Sequence, residues 1–351
     1  MSDPTANEQL RDAILERQAA LLAYGNGLSA EIIDLLGPEQ AALAADLRDK
    51  LALMGDSYDA AAIQVLLDQI QRLTAEIFAK VETALEAALA VLVDHEVERS
   101  AQIFNAALPV GVDLGVFQLP SPELLSAIVS DMPMVGSTLS QAISDLAASQ
   151  LRAIRGIVQQ GLLEGQTIAQ MVREVIGTKA QSYEDGVLAV TRRQAEALVI
   201  TSVAHVTNQA REAFYRANTD VIASETFTAT LDSRTTPLCR SLDGRVYPVG
   251  EGPIPPLHFR CRSVRRPNLK SWRQLGFNMA DLPPGSRASM DGQVPGDLTY
   301  DQWLRGRSAR LQDEILGPTR GALYRKNPGM TMRSFVNNAG KTLTLEQLSG
   351  R

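Results

Sequence analysis

A chain of 351 residues, 45% hydrophobic and 21% charged, has the apolar material for a true core and a length that favours two or three domains over one. Two cysteines are too few for a disulfide framework of this size, which excludes a secreted disulfide scaffold, and a net charge of −6 with a pI near 5.3 argues against a free DNA-binding protein. The polar start MSDPTANEQL lacks a basic flank before an apolar run, and the most apolar stretch, ALEAALAVLV, is short and carries Glu86; no signal peptide and no membrane association are expected, and the chain is expected to be made in a cytosol.

Residues 1–110 lack strand alternation and predict a helical region. An early amphipathic segment carries Leu10, Ile14 and Leu21, and a second starts at Leu28 and breaks at LGPEQ. From Tyr58 to about Ala107 neither Pro nor Gly interrupts the chain, Ser57 is placed to cap the helix, and Ile63, Leu66, Ile70, Leu73, Ile77, Val81, Leu85, Leu89 and Leu92 recur at spacings of three and four. One continuous helix there would span roughly 75 Å. Its apolar stripe predicts the core of a helical hairpin or bundle, the alternative being a surface for another protein.

Residues 111–122, within LPVGVDLGVFQLPSPE, read as a linker. Ser121-Pro122-Glu123 then starts a helix with a capping hydroxyl, a Pro where no amide donor is needed and an acid in the first turn. Residues 123–218 predict a helical middle, with helices over about 123–131, 137–161, 167–176 and 187–218 and a glycine-marked break at GLLEGQT. Beyond Thr219, ETFTATLD alternates as a strand, RVYPV follows the Asp243-Gly244 turn as a second, and RCRSVRRP supplies a third, giving a small α+β unit over 219–282. Residues 283–297 read as a Pro/Gly-rich loop, followed within 283–351 by two short helices and the closing TLTLEQL. The predicted fold is therefore mainly α with a small α+β C-terminal domain, long N-terminal helices, a helical middle and a short antiparallel sheet around residues 225–266.

Charge divides unevenly. Residues 191–351 carry 23 Lys and Arg against 14 Asp and Glu, or +9, while residues 1–190 carry 11 against 26, or −15. In RCRSVRRPNLKSWR, the cations Arg260, Arg262, Arg265, Arg266, Lys270 and Arg273 occur with no acid between Glu251 and Asp281, which makes them candidate DNA-facing residues; the alternative is a solvated face or an internal partner for acidic helices.

The stretch LDSRTTPLCRSLDGRVYPVGEGPIPPLHFRCRS, residues 231–263, holds both cysteines and one of the three histidines. Cys239, His258 and Cys261 are ligand types suited to zinc, but three of them leave a position open, as catalytic zinc sites do. No Glu of a His-x-Glu pair accompanies them. A structural reading fits better: Asp232 accepts backbone hydrogen bonds from the following turn, Arg234 pairs with Asp232 or Asp243, Gly244 permits positive φ, and prolines 253, 255 and 256 return His258 and Cys261 toward Cys239. The expectation is a fastener of turns and strands with no resident metal, the alternative being closure by a zinc ion at Cys239, His258 and Cys261 or by a disulfide. His95 reads as a helix-surface residue and His205 as a buried one; a phosphate-binding glycine loop and a Gly-x-Ser-x-Gly elbow are absent.

From Ile154 onward the order of elements resembles the phage head morphogenesis family, minor head proteins similar to the Mu F protein. The resemblance rests on IRGIVQQGLLEGQTIAQMVREV, on Arg192, Thr201, Asn208, Ala210, Arg211 and Tyr215 in the next helix, and on Asp232, Arg234, Thr235, Cys239, Leu242, Asp243, Gly244, Pro255, Pro256, His258, Cys261 and Arg262. The tail TYDQWLRGRSARLQDEILGPTRGALYR is also similar to tails in the family, whereas the first 110 residues carry no such likeness. Many relatives place Cys-x-x-Cys where this chain has Thr236 and Cys239, so the resemblance implies a fuller ligand set than is present here. It further implies a non-enzymatic virion protein of the phage head, acting in head assembly with the portal or major capsid protein, and in packaging or ejection of double-stranded DNA. The competing expectation is a zinc-dependent hydrolase or toxin-like effector using Cys239, His258 and Cys261.

Overall fold

The computed structural model describes residues 6–54, 60–108, 114–278 and 286–349. Helices α1 (Ala6–Met54) and α2 (Ala60–Ala107) fill the N-terminal region, α3 (Pro122–Ser130), α4 (Leu139–Glu164), α5 (Ile168–Ile176) and α6 (Val187–Ala217) the middle, and short strands and helices the rest. The predicted break at LGPEQ is not there. Pro38 withholds the amide that would bond the carbonyl of Asp34, but both residues lie on the exposed face, where water can serve that carbonyl, while Leu36, Gln40 and Leu43 keep the other face buried. Residues Gln9–Leu53 are long and apolar enough, by length and composition, to cross a membrane. Much of that hydropathy comes from Leu28, Ile32, Leu36, Leu43, Leu47 and Leu51, all buried in the protein. The cap predicted at Ser57 lies outside the described residues.

Contacts group the chain into two compact units, one of residues 23–92 and 125–203, the other of residues 1–22, 93–124 and 204–351. In the first, α1 and α2 run antiparallel, with Gln69 donating to Asp46 at 3.0 Å and Lys80 paired with Glu39. The stripe on α2 is core: Leu66, Ile70, Ile77, Val81, Leu85, Leu89 and Leu92 are buried, with Ile63 and Leu73 half-buried. α4 starts at a reciprocal cap between Thr138 and Gln141 and stops at Gly165, whose φ of 67° suits glycine. The break in GLLEGQT thus falls at Gly165. Gly161 stays helical, and it is a close-approach glycine: a Cβ there would meet the Met171 side chain at 2.5 Å. Arg192 donates to the side-chain Oε1 of Gln40 at 3.0 Å and Gln40 Nε2 donates to Gln150 Oε1 at 3.1 Å, a polar chain threaded through this core.

In the second unit, β1 (Ile222–Thr228) is the central strand of an antiparallel sheet of order β2-β1-β3, with β2 (Val246–Tyr247) and β3 (Val264–Leu269) at its edges. The register pairs Thr226 with both Val246 and Arg266. Pro267 is tolerated because β3 is an edge strand. Helix α7 (Pro237–Leu242) fills the connection from β1 to β2. Two tail predictions need correction. Within the predicted loop 283–297, residues Ser286–Ser289 (β4) pair with Gly292–Pro295 (β5), the turn closing at Gly292 with φ 110°; residues 283–285 lie outside the described ones. The tail then forms three short helices where two were expected, α8 (Tyr300–Arg305), α9 (Ala309–Leu316) and α10 (Pro318–Lys326), because Ser308 caps a new start at the Leu311 amide. With α11 (Leu345–Ser349) they enclose Leu231, Tyr300, Trp303, Leu304, Tyr324, Phe335 and Leu343.

The same unit buries a charge cluster among its helices. Glu96 of α2 accepts from Arg211 of α6 at 2.6 Å and from Arg17 of α1 at 2.9 Å, with side chains of Glu96 and Arg211 only 1% and 4% exposed. Beside it Phe104, Phe117, Phe214 and Tyr215 make mutual edge and tilted ring contacts. Glu96→Ala would leave the Arg211 guanidinium buried without its carboxylate, a change that costs about 3–5 kcal/mol for such pairs. Urea unfolding is expected to show a loss of that order; an unchanged midpoint would contradict the assigned pair.

Candidate functional site

The region from Leu231 to Ser263 folds as a knot whose two centres are carboxylates. Asp232 forms the first. Its Oδ1 accepts from the amides of Arg234 at 3.1 Å and Thr235 at 3.0 Å, and Arg262 closes on both oxygens at 2.6 and 3.0 Å. Burial works to raise the pKa of Asp232, but the hydrogen bonds and charge of Arg262, with help from Thr235, outweigh it and hold the carboxyl below its ordinary value. The Thr235 hydroxyl reaches the Thr230 carbonyl at 2.6 Å, and the Tyr300 hydroxyl donates to the Asp232 carbonyl at 2.7 Å.

Asp243 is the second centre and is more deeply buried, its side chain 0% exposed. Oδ1 accepts from the Ala229 amide just past β1 at 2.7 Å, and Oδ2 from the Tyr300 amide at the start of α8 at 2.6 Å. Arg287 of β4 contributes a two-pronged bond at 3.1 Å to each oxygen. One carboxylate therefore ties β1, β4 and α8 to the turn that follows α7. Gly244 completes that turn with φ 78°, and a Cβ there would lie 2.6 Å from Thr299 Cγ2. Arg234 takes neither predicted partner: its side chain is exposed, and Arg262 and Arg287 hold the two acids instead.

The cysteines and the histidine do converge. Cys239 Sγ lies 3.3 Å from His258 Nε2 and 3.7 Å from Cys261 Sγ, and the Thr236 hydroxyl is 2.9 Å from the same Nε2. Both thiols are free and buried, packed with Phe227, Ala229 and Leu242. His258 is half-buried, and its Nδ1 lies 2.9 Å from the Phe259 carbonyl. The hydrogen bond from Cys239 draws the Cys261 thiol down to about 4, with His258 assisting, while Cys239 is pushed up by the same contact and by burial. His258 is raised, chiefly by its hydrogen bond to Cys261. Among the described residues no carboxylate joins this group.

The basic run is used mostly inside the fold. Arg265 is buried, its Nε 3.0 Å from Glu225 Oε2, while its Nη1 donates to the Glu251 carbonyl at 2.8 Å and its guanidinium lies over Tyr247. Arg266 donates to the Thr228 hydroxyl at 2.7 Å, and burial lowers its pKa to about 10. Arg262 belongs to Asp232. Of the six predicted DNA-facing cations, Arg260 and Arg273 are exposed and Lys270 is half-buried. Four ties could not be read from local sequence: Arg287, Tyr300, Glu225, and Arg240, which donates to the carbonyls of Ser233 and Ile315 at 3.0 Å each. Of the remaining histidines, His95 is exposed on α2 and His205 buried in α6.

Glu225 sits on β1 with its side chain 0% exposed. Burial, then the neighbouring charge of Glu212, pushes its pKa up to about 8. An acid raised above its unfolded value of about 4.3 keeps its proton in the fold, so its contribution is full below that value and is lost as pH rises toward the folded pKa. Stability is therefore expected to decline between about pH 5 and 8, and Glu225→Gln is expected to flatten that decline in denaturant titrations at several pH values; an equally steep variant would contradict the assignment.

Comparison with known proteins bears on the same region. Residues 152–266 match the family model described as Phage Mu protein F like protein, a stretch that runs from within α4 into β3. No curated protein and no solved structure matches the chain. The matched stretch contains Asp232, Cys239, Asp243, Gly244, His258, Cys261 and Arg262, and over it the chain is similar to the Mu F-like phage head proteins.

Proposed function

We propose that the chain is a minor head protein that acts in head assembly, bound to the portal or to the interior of the major capsid shell, and that it assists DNA packaging or ejection. The family match over residues 152–266 carries this reading, and it implies a place in the virion. The knot is consistent with it: Asp232, Asp243, Arg262 and Arg287 are occupied in ties between elements, as befits a part that must keep its shape in an assembly. Charge suggests the orientation. DNA at high density repels a segment of charge −15 and attracts one of +9, so residues 1–190 suit a protein partner and the C-terminal half suits DNA. Arg260 and Arg273, which are exposed, and Lys270, which is half-buried, are the cations of the basic run assigned to that contact.

The hydrolase or effector reading needs a base beside Cys239, His258 and Cys261, and no carboxylate joins them among the described residues. Full-length protein mixed with the portal and major capsid proteins of its own phage is expected to co-sediment with one of them. It is also expected to bind duplex DNA weakly, with a salt slope of about −3 for three phosphate contacts, lost in the combined Arg260→Ala, Lys270→Ala, Arg273→Ala variant. Sedimentation with neither protein would overturn the assembly role, and salt-independent or absent DNA binding would overturn the DNA contact alone.

A further inference from the structure

The Cys239, His258 and Cys261 group has a geometry that thiol packing does not require. In tetrahedral zinc sites, Zn–S distances of about 2.3 Å and Zn–N distances of about 2.0 Å set a sulfur–sulfur edge of about 3.8 Å and a sulfur–nitrogen edge of about 3.5 Å. The corresponding separations here are 3.7 Å and 3.3 Å, and the ligand atoms of all three residues lie within 4.8 Å of one another. A disulfide would need its sulfurs at about 2.05 Å.

The imidazole supplies a second, independent observation. His258 Nδ1 is 2.9 Å from the Phe259 carbonyl, a contact in which the ring nitrogen donates, and this turns Nε2 toward the thiols. Metal-bound histidines are characteristically held in this way, with the non-ligating nitrogen donating to a backbone carbonyl or carboxylate. The surroundings add a fourth oxygen and a route of entry. Thr236 Oγ1 is 2.9 Å from His258 Nε2, and the histidine edge is half-buried beside exposed Phe259 and Arg260, whereas both thiols face the interior.

We propose that Cys239, His258 and Cys261 bind a zinc ion, with the fourth position lying beside the Thr236 hydroxyl and open to water. The ion would join α7, which carries Cys239, to the Pro-rich return loop, which carries the other two ligands. Its role is structural, since no base accompanies it, and it replaces the expectation of a metal-free fastener.

The test uses the full-length protein, stripped with chelator and titrated with Co(II) and then Zn(II). The wild type is expected to take up about one Co(II) per chain, with thiolate-to-cobalt absorption in the near ultraviolet that Zn(II) abolishes, and zinc is expected to raise the melting temperature of the stripped protein. Cys261→Ser should lose much of that absorption. Thr236→Cys, which supplies a third thiolate at the open position without disturbing the first three ligands, should bind at least about tenfold tighter. A wild type that shows no thiolate–cobalt band would overturn the site, even if Thr236→Cys gains one, because the three native ligands would then be insufficient. A Thr236→Cys variant that binds no tighter would equally overturn the placing of the fourth position.

Discussion

The Asp243 carboxylate has no solvent exposure, so every one of its hydrogen-bonding positions must be met by protein. It is met by the amides of Ala229 and Tyr300 and by both prongs of Arg287, groups drawn from the end of β1, the start of α8 and β4. The rest of the C-terminal unit is arranged around that demand. Gly244 has positive φ because the chain must leave Asp243 sharply, and Tyr300 is fixed at the first position of α8, from which its hydroxyl reaches back to Asp232. The second carboxylate, Asp232, is tied in turn to Arg262, the residue after Cys261 on the return loop.

This way of building consumes arginine. Arg211, Arg262, Arg265 and Arg287 each face an acid inside the fold, at Glu96, Asp232, Glu225 and Asp243. Arginine suits the task because its planar fork can satisfy both oxygens of a carboxylate, as Arg262 and Arg287 do here, while remaining charged when desolvated. Three of these pairs lie wholly within residues 191–351 and cancel there, so they leave its balance of +9 in place; only Arg211 takes its acid, Glu96, from outside that half.

The helical architecture was legible because its signals are periodic and local. The stripe from Leu66 to Leu92 becomes core, and Ser121-Pro122-Glu123 starts α3 as expected, with Ser121 accepting from the Leu124 amide at 3.3 Å. The strands were legible from alternation and from the Asp243-Gly244 turn. The misleading signals were the glycines and prolines: Pro38 sits on an exposed helix face where its missing bond is tolerated, and the Gly/Pro-rich stretch after residue 283 contains a hairpin. In the candidate site, the residue types in LDSRTTPLCRSLDG pointed to the right place, but the partners did not. Arg234 adjoins Asp232 in sequence yet faces solvent, while the arginines that bind the two acids lie 30 and 44 residues away. Charge pairing over such separations is set by the tertiary path of the chain, which no local pattern records.

If the buried carboxylate is what assembles this unit, its removal should be felt by all of its partners together and not by the turn alone. Amide hydrogen exchange on the Asp243→Ala variant tests this most directly. Protection at Ala229, Tyr300 and the β4–β5 hairpin is predicted to fall in concert, with a loss of stability on the order of 3–5 kcal/mol as Arg287 is left uncompensated. Loss of protection confined to residues 242–246, with Ala229 and Tyr300 unaffected, would contradict the account.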